Sequence, residues 1–112
     1  MSDNKNLTSQ KCEACSIGTI PLHGTELFEL IQLINPDWEI ESDNKIVRTF
    51  RFKDFISSLD FVNKIGEIAE AEGHHPDIEL SWGKVKVLLI THKIHGLSIN
   101  DFIMAAKIDD IN

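Results

Sequence analysis

The sequence has little positive charge. Its 112 residues include 11 Lys and Arg against 18 Asp and Glu, and the formal net charge is −7. Direct binding of nucleic acid requires a basic face, so that class of protein is not expected. No run of about 18 apolar residues is present, so no transmembrane helix is predicted. Residues 1–11 are polar and lack the apolar core of a signal peptide, which makes the cytoplasm the expected location.

Cysteine is also scarce, and the chain contains only Cys12 and Cys15. Both lie near one end, so a disulfide between them could not staple a domain of this size. A Cys-x-x-Cys without a second pair is a weak signal for structural zinc. The strand–helix context of a redox motif is missing as well. The simplest interpretation gives this pair an incidental or minor role.

Enough apolar material is present for one domain. Hydrophobic residues make up 42 % and charged residues 26 % of the chain, and both values are ordinary for globular proteins. A chain of this length buries roughly two-thirds of its unfolded surface, which suffices for one core. Residues 1–20 show no usable period and are expected to form a flexible arm. Residues 21–112 are expected to form a single domain.

The apolar periodicity predicts the element order α-β-β-α-β-β-α. Apolar residues recur at helical spacing after Thr25 and Asp54, and Ser98 with Asp101 resembles a capping box. Alternating segments between the helices predict two pairs of strands. The economical packing is an α+β two-layer sandwich, with a four-stranded antiparallel sheet and the helices on one face. The predicted ranges are helices from 25 to 34, from 54 to 72 and from 98 onward, and strands at 38–41, 46–52, 78–82 and 85–91.

The second predicted hairpin brings histidines together. If Gly83-Lys84 is a two-residue turn, Trp82 faces Val85. Counting outward along the two strands then places His75 opposite His92, although 17 residues separate them in the chain. Their distance would be one strand spacing, about 5 Å. His74 lies beside this pair at the open end of the hairpin.

Glu70 is expected to join the histidines, because it lies four residues before His74 in the last turn of the long helix. Its negative charge there interacts unfavourably with the helix dipole, and a locally unfavourable residue of this kind can indicate a functional site. A solvated helix surface is the plainer interpretation. Three imidazoles and one carboxylate suit general acid–base chemistry near neutral pH. A catalytic zinc site of three histidines is the alternative, although neighbours such as His74 and His75 point to opposite sides in an extended chain.

At these residues the sequence resembles the pterin-4a-carbinolamine dehydratases, also called 4a-hydroxytetrahydrobiopterin dehydratases. The family pattern is an acidic residue, three positions, His-His-Pro, an aromatic residue, and then His and Asp at set distances. Every element is present at the expected spacing, and the similarity covers most of the chain. It is closest to bacterial members. The matching residues are Glu70, His74, His75, Pro76, Trp82, His92 and Asp101.

The resemblance implies an activity and a site. The family fold is the same sandwich, and the reaction removes water from 4a-hydroxytetrahydropterin to give quinonoid dihydropterin. This recycles the pterin of an aromatic amino-acid hydroxylase such as phenylalanine hydroxylase, and no metal or organic cofactor is implied. By position, the expected catalytic residues are His74, His75, His92, Glu70 and Asp101. The expected substrate-binding residues are Trp38, Pro76 and Thr91.

Two other functions remain open at this point. Family members assemble, so a homodimer or homotetramer is expected. An animal member also serves as a dimerisation cofactor for a homeodomain transcription factor, so a non-catalytic binding module is one alternative. With an acidic surface, such a module would act through protein contact and not through DNA. A zinc hydrolase using the three histidines is the other alternative.

Overall fold

The structure, a computed structural model, describes residues 7–13 and 18–112. Its elements follow the predicted order, and the predicted α+β sandwich with four antiparallel strands is confirmed. The bounds are α1 Gly24–Ile31, β1 Glu39–Glu41, β2 Lys45–Arg51, α2 Phe55–Glu72, β3 Asp77–Ser81, β4 Lys84–Leu89, a 3₁₀ turn His92–Ile94 and α3 Ile99–Asp110.

The strands form one antiparallel sheet in the order β1-β2-β4-β3. Along β4, the side chains of Val85, Val87 and Leu89 are fully buried, whereas the residues between them are partly exposed. This period of two turns one face of the sheet toward the helices. Ile65 of α2 and Phe102 of α3 are buried in the same cluster. The core therefore lies between one face of the sheet and the helices.

Helix α2 is capped at both ends. The N–H of Ser57 donates to Asp54 Oδ1 at 2.8 Å. Gly73 ends the helix with a φ of 68°, a left-handed conformation that strains residues with a side chain. The histidine pair follows directly, so this cap places it at the entrance to β3. No helix in the described part of the chain is long and apolar enough to cross a membrane.

The N-terminal region differs from its prediction in detail. Helix α1 begins at Gly24, one residue before the predicted start, with His23 as an N-cap that makes no side-chain capping bond. Within the range assigned to a flexible arm, Leu7 is only 2 % exposed and belongs to the core. Cys12 packs against the same cluster, and Cys15 lies outside the described residues. Residues 7–13 therefore lie against the domain.

The register of the second hairpin also differs from the prediction. Leu80 pairs with Val85, and Trp82 and Gly83 form the turn. The predicted pairing of His75 with His92 across this hairpin is therefore wrong. A shift of two residues keeps every side chain on its own face, so hydrophobic alternation cannot distinguish the two registers.

A close backbone contact accounts for the observed turn. The N–H of Phe52, just after β2, donates to the carbonyl of Gly83 at 2.8 Å. A Cβ atom at residue 83 would lie 2.8 Å from the Phe52 carbonyl oxygen, which is too close for any side chain. Gly83 is therefore needed where the turn meets β2, and this tertiary contact has no signal in the hairpin sequence.

Candidate active site

A cavity of about 410 Å³ opens where the end of α2, the 3₁₀ turn and the start of α3 meet. His74, His75, Thr91 and His92 all line it. The predicted gathering of the three histidines around one space is therefore present, although strand pairing does not produce it. The left-handed cap at Gly73 and the 3₁₀ turn after β4 bring the imidazoles there.

Asp101 lies behind the residues that line the cavity, and its side chain is completely buried. Its Oδ1 lies 2.7 Å from Nε2 of His74. Its Oδ2 accepts hydrogen bonds from Thr91 Oγ1 at 2.8 Å and from the N–H of Ser98 at 3.0 Å. One carboxylate therefore closes the capping box of α3 and orients an imidazole.

The contact with Asp101 fixes the proton on His74. An ionised carboxylate can only accept hydrogen bonds, so Nε2 of His74 is the nitrogen that carries the proton. The second ring nitrogen, Nδ1, is then the one that can exchange a proton with a ligand. A buried carboxylate behind an imidazole selects the tautomer and the ring orientation in this way in general acid–base sites.

The other two histidines are more exposed, with 60 % of the His75 side chain and 69 % of the His92 side chain accessible. Nε2 of His75 contacts Oε2 of Glu70, as the predicted grouping requires. Nε2 of His92 lies 3.8 Å from Oδ2 of Asp77, which permits an ion pair but is too long for a hydrogen bond. Asp77 was not among the predicted site residues. Each imidazole therefore has its own carboxylate.

Two of the predicted substrate-binding residues, Trp38 and Pro76, do not line the cavity. Trp38 is 2 % exposed, and its ring packs edge-on against Phe50 with centroids 6.1 Å apart. Its Nε1–H donates to Asp109 at 2.9 Å, so the core provides the polar partner that a buried indole requires. Pro76 is half-buried between the histidine pair and β3, where its fixed φ suits an extended chain.

The N-terminal segment contributes a wall of the cavity that no sequence pattern indicates. Cys12, Glu13 and Asn100 line the cavity beside Glu72. The N–H of Cys12 donates to Glu72 Oε1 at 2.8 Å, and the N–H of Glu13 donates to Asn100 Oδ1 at 3.0 Å. These contacts connect residues 60 and 87 positions apart. No local pattern could have revealed them.

The same contacts determine the protonation of Cys12 and Glu72 on this wall. Burial, followed by the negative charge of Glu72, raises the pKa of Cys12 to about 12. The hydrogen bond from the Cys12 N–H and the Lys107 ammonium, 3.3 Å away, hold the pKa of Glu72 below its usual range. At neutral pH Cys12 is therefore a neutral thiol and not an activated nucleophile.

The carboxylate contacts also bear on the zinc alternative. His74 and His75 bond two different carboxylates, Asp101 and Glu70. Among residues 7–13 and 18–112, no group of three or more His, Cys, Asp or Glu side chains is arranged to hold a metal ion. The arrangement supports proton transfer by individual imidazoles, each next to an acid.

Comparison with known proteins identifies the family. Residues 20–111 match the family described as Pterin 4 alpha carbinolamine dehydratase. The chain belongs to this family. It is 50 % identical over 104 residues to a protein of Alkaliphilus metalliredigens, covering 93 % of this chain and 94 % of the relative. It is 48 % identical over 110 residues to one of Methylococcus capsulatus, covering 97 % and 96 %. Both are named "Putative pterin-4-alpha-carbinolamine dehydratase".

A solved structure from the same family has the same fold. It is described as a transcriptional coactivator/pterin dehydratase from Brucella melitensis, and it superposes with a TM-score of 0.76 at 30 % identity. The match covers 81 % of this chain and 97 % of that one. Membership of the pterin 4 alpha carbinolamine dehydratase family makes the present chain a hydro-lyase.

Proposed function

We propose that this protein is a 4a-hydroxytetrahydrobiopterin dehydratase, which converts 4a-hydroxytetrahydropterin into quinonoid dihydropterin and water. The observation that carries the proposal is that His74, backed by the buried Asp101, shares one cavity with His75 and His92. The volume of about 410 Å³ lies within the range of small-molecule sites and suits a bicyclic pterin.

The reaction needs one acid and one base. The acid protonates the hydroxyl oxygen on C4a, and the lone pair of the adjacent N5 expels this oxygen as water while the C4a–O bond breaks. The resulting cation then loses a nitrogen-bound proton to the base. One molecule of water is lost without change of oxidation state, so the proposal includes no cofactor. Each proton transfer from or to a positioned side chain contributes about 10²–10⁴-fold.

The contacts support a division of roles among the histidines. We assign His74 and His92 as the acid–base pair and His75 to positioning of the pterin. Asp101 fixes the tautomer of His74, and Glu70 orients His75. Carboxylates behind the imidazoles also stabilise the positive charge that forms when water leaves.

The direct test generates 4a-hydroxytetrahydropterin and follows its dehydration spectroscopically with and without the protein. His74→Ala and His92→Ala should each lose activity by about 10²-fold or more and remain folded. His23→Ala is the matched control, because this histidine lies outside the cavity and its side chain makes no capping bond. Failure of the parent protein to accelerate dehydration would reject the function, and near-parent turnover in either cavity variant would remove that residue from the mechanism.

We also propose that the product returns, after reduction, to an aromatic amino-acid hydroxylase such as phenylalanine hydroxylase in the cytoplasm. This role rests on the family resemblance and on the chemistry of the product, which must be reduced before reuse. A coupled assay tests it. The protein should raise the steady-state rate of a hydroxylase when the 4a-hydroxypterin accumulates, and an unchanged rate would contradict the link.

We further propose that the protein is a homodimer or homotetramer. Strands β1 and β3 are the two edges of the sheet, and unpaired edges favour assembly with a second chain. Light scattering during size-exclusion chromatography should give two or four times the chain mass of 12.7 kDa. A monomer at micromolar concentration would contradict this proposal.

A second candidate function is a protein-binding module. The description of the Brucella structure as a transcriptional coactivator favours it. With a net charge of −7, such a role requires contact with a protein and not with DNA. The protein alone should therefore not retard DNA in a gel at physiological salt. The activity of the histidine variants separates the two functions, because protein binding does not need the imidazoles.

A further inference from the structure

One wall of the cavity is the segment of residues 7–13, here called the strap. Its first residue, Leu7, is anchored in the core. Near its other end, the N–H of Cys12 donates to Glu72 and the N–H of Glu13 donates to Asn100. Cys12 and Glu13 both line the cavity. The strap is therefore attached at both ends and borders the space that holds the histidines.

Asn100 hydrogen-bonds both backbone groups of one strap residue, as a neighbouring β-strand would. Its Oδ1 accepts from the N–H of Glu13 at 3.0 Å, and its Nδ2–H donates to the carbonyl of the same residue. Asn100 is itself buried in the first turn of α3, where its N–H donates to Ser98 Oγ at 3.2 Å. One fixed carboxamide therefore holds both backbone groups of Glu13 and sets the point from which that side chain extends.

The two carboxylates on this wall differ in their partners. Glu72 is engaged by the N–H of Cys12 and by Lys107. The Glu13 side chain is exposed at the cavity, and within the described ranges no hydrogen bond or ion pair involves its carboxylate. Glu13 is therefore the carboxylate of this wall that can accept hydrogen bonds from a ligand.

A pterin offers the complementary group. Its pyrimidinone ring carries N3–H and the 2-amino group side by side, so one edge presents two parallel N–H donors. A carboxylate provides two acceptor oxygens at matching spacing, and such paired, charge-assisted bonds are both strong and directional. An amide in place of the carboxylate would offer only one acceptor to this edge.

We propose that Glu13 is a substrate-binding residue that accepts hydrogen bonds from the donor edge of the pterin, and that Asn100 is the positioning residue that holds Glu13 there. The inference rests on the proposed function, because it places a pterin in the cavity. Proton transfer stays with the histidines, so changes in this wall should raise KM and leave kcat nearly unchanged.

The first test compares two ligands and one substitution. Dihydrobiopterin is the probe, and its lumazine counterpart, with an oxygen in place of the 2-amino group, lacks one of the two donors. The parent protein should bind the pterin about tenfold or more tightly than the lumazine, and Glu13→Gln should lose most of this preference. KM for dehydration should rise about tenfold, with kcat within about twofold. Glu26→Gln, in α1 and outside the cavity, is the matched control for the change in charge.

The second test releases the strap. Asn100→Asp keeps one acceptor but places an oxygen against the carbonyl of Glu13, so the preference for pterin should fall as in Glu13→Gln. Released from the wall, the thiol of Cys12 should regain its ordinary pKa, and its alkylation by iodoacetamide should accelerate at least about tenfold in a Cys15→Ser background. Glu13→Gln keeps both backbone bonds, so its alkylation rate should equal that of the parent. Asn100→Ala, which removes the side-chain partner of both Glu13 backbone groups and keeps the Glu13 carboxylate, is the second variant should Asn100→Asp disturb α3.

The outcomes separate the two proposals. If the parent protein binds the pterin but does not dehydrate its substrate, the proposed function is rejected. The preference for pterin over lumazine then still tests whether Glu13 contacts the ligand. A parent-like preference in Glu13→Gln overturns the assignment of Glu13. Faster alkylation of Cys12 with an unchanged preference, in Asn100→Asp or Asn100→Ala, overturns the positioning role, because the strap would then be structural only.

Discussion

Helix α3 carries a carboxylate near each end, completely buried at Asp101 and only 13 % exposed at Asp109, and the two have different surroundings. Asp101 in the first turn contacts the imidazole of His74, which lines the cavity. Asp109 in the last turn contacts the indole of Trp38, which lies in the core. Both carboxylates therefore receive an N–H from an aromatic side chain, but only the first network reaches the cavity.

The chemistry of the partners explains what each network can do. Asp109 also accepts from Arg48 at 2.7 Å, and the guanidinium of Arg48 lies 4.3 Å from the centroid of the Phe50 ring. Neither an indole nor a guanidinium gives up its proton under physiological conditions, whereas an imidazole does. Burial of a carboxylate therefore does not identify a working site. The identifying feature is a partner that can exchange a proton with the cavity.

The strongest test of this contrast is Asp101→Asn. The amide can both donate and accept, so it no longer dictates which nitrogen of His74 carries the proton. We expect kcat/KM for dehydration to fall about 10²–10⁴-fold. Asp110→Asn is the control, because this aspartate is exposed on the same helix. A folded Asp101→Asn protein with near-parent kinetics would remove Asp101 from the mechanism.

The corresponding change at the other end of α3, Asp109→Asn, should affect stability and not catalysis. Among residues 7–13 and 18–112, it leaves the largely buried guanidinium of Arg48 with Asp37, 3.5 Å away and largely exposed, as its remaining carboxylate partner. Removing one partner of a buried ion pair lowers the free energy of unfolding by about 3 kcal/mol, because the other charge is left without its partner. Urea denaturation measures this loss, while kcat of the folded variant should match the parent. A comparable loss of kcat would show that the two networks are coupled.

The titration of Asp109 predicts that the free energy of unfolding depends on pH. Burial raises the pKa of Asp109 in the folded state above its ordinary value. Between the ordinary and the raised pKa, the folded protein therefore binds more protons than the unfolded chain, so this group's contribution to stability is lost as pH rises through that window. Denaturation across mildly acidic pH should show this decline in the parent and not in Asp109→Asn. An opposite slope would mean that the bonds from Trp38 and Arg48 outweigh burial.

The sequence predicts the fold well where the signals are local. Helix α2 spans Phe55–Glu72, within one residue of the range of 54 to 72 that its apolar spacing predicts. The register of the second hairpin could not be predicted, because both registers bury the same face and the deciding contact is that between Gly83 and Phe52. Local patterns therefore determine the elements and leave a tertiary contact to choose the pairing.

The site shows the same limit. The histidine pair, His92 and Asp101 could be grouped from spacing and resemblance, because the motif places them in one pattern. The place of Trp38 could not be predicted, since its partner Asp109 lies 71 residues away and an aromatic residue suits a core as well as a ligand site. The grip of Asn100 on Glu13 spans 87 residues and is equally invisible in the sequence.

A smaller effect on the catalytic network is expected from Thr91→Val. The hydroxyl of Thr91 donates to Asp101 at 2.8 Å, and valine keeps the shape of the side chain without the donor. Removing one such bond should lower kcat by about two- to tenfold, because Asp101 then holds His74 less firmly. Thr49→Val, on an exposed position of β2, is the control. An unchanged kcat would mean that the bond from Ser98 is sufficient to orient the carboxylate.

The smallest effect is expected from Trp38→Phe, which removes the donor to Asp109 and keeps an aromatic ring against Phe50. The free energy of unfolding should fall by about 1 kcal/mol, the worth of one hydrogen bond. Trp82→Phe, in the exposed hairpin turn, should leave it unchanged. Since the core position of Trp38 keeps the indole from the cavity, KM for the pterin should stay within about twofold. A tenfold rise in KM would instead support the place at the edge of the site that the family resemblance implies, and the network at Asp109 would then belong to substrate binding as well as to the core.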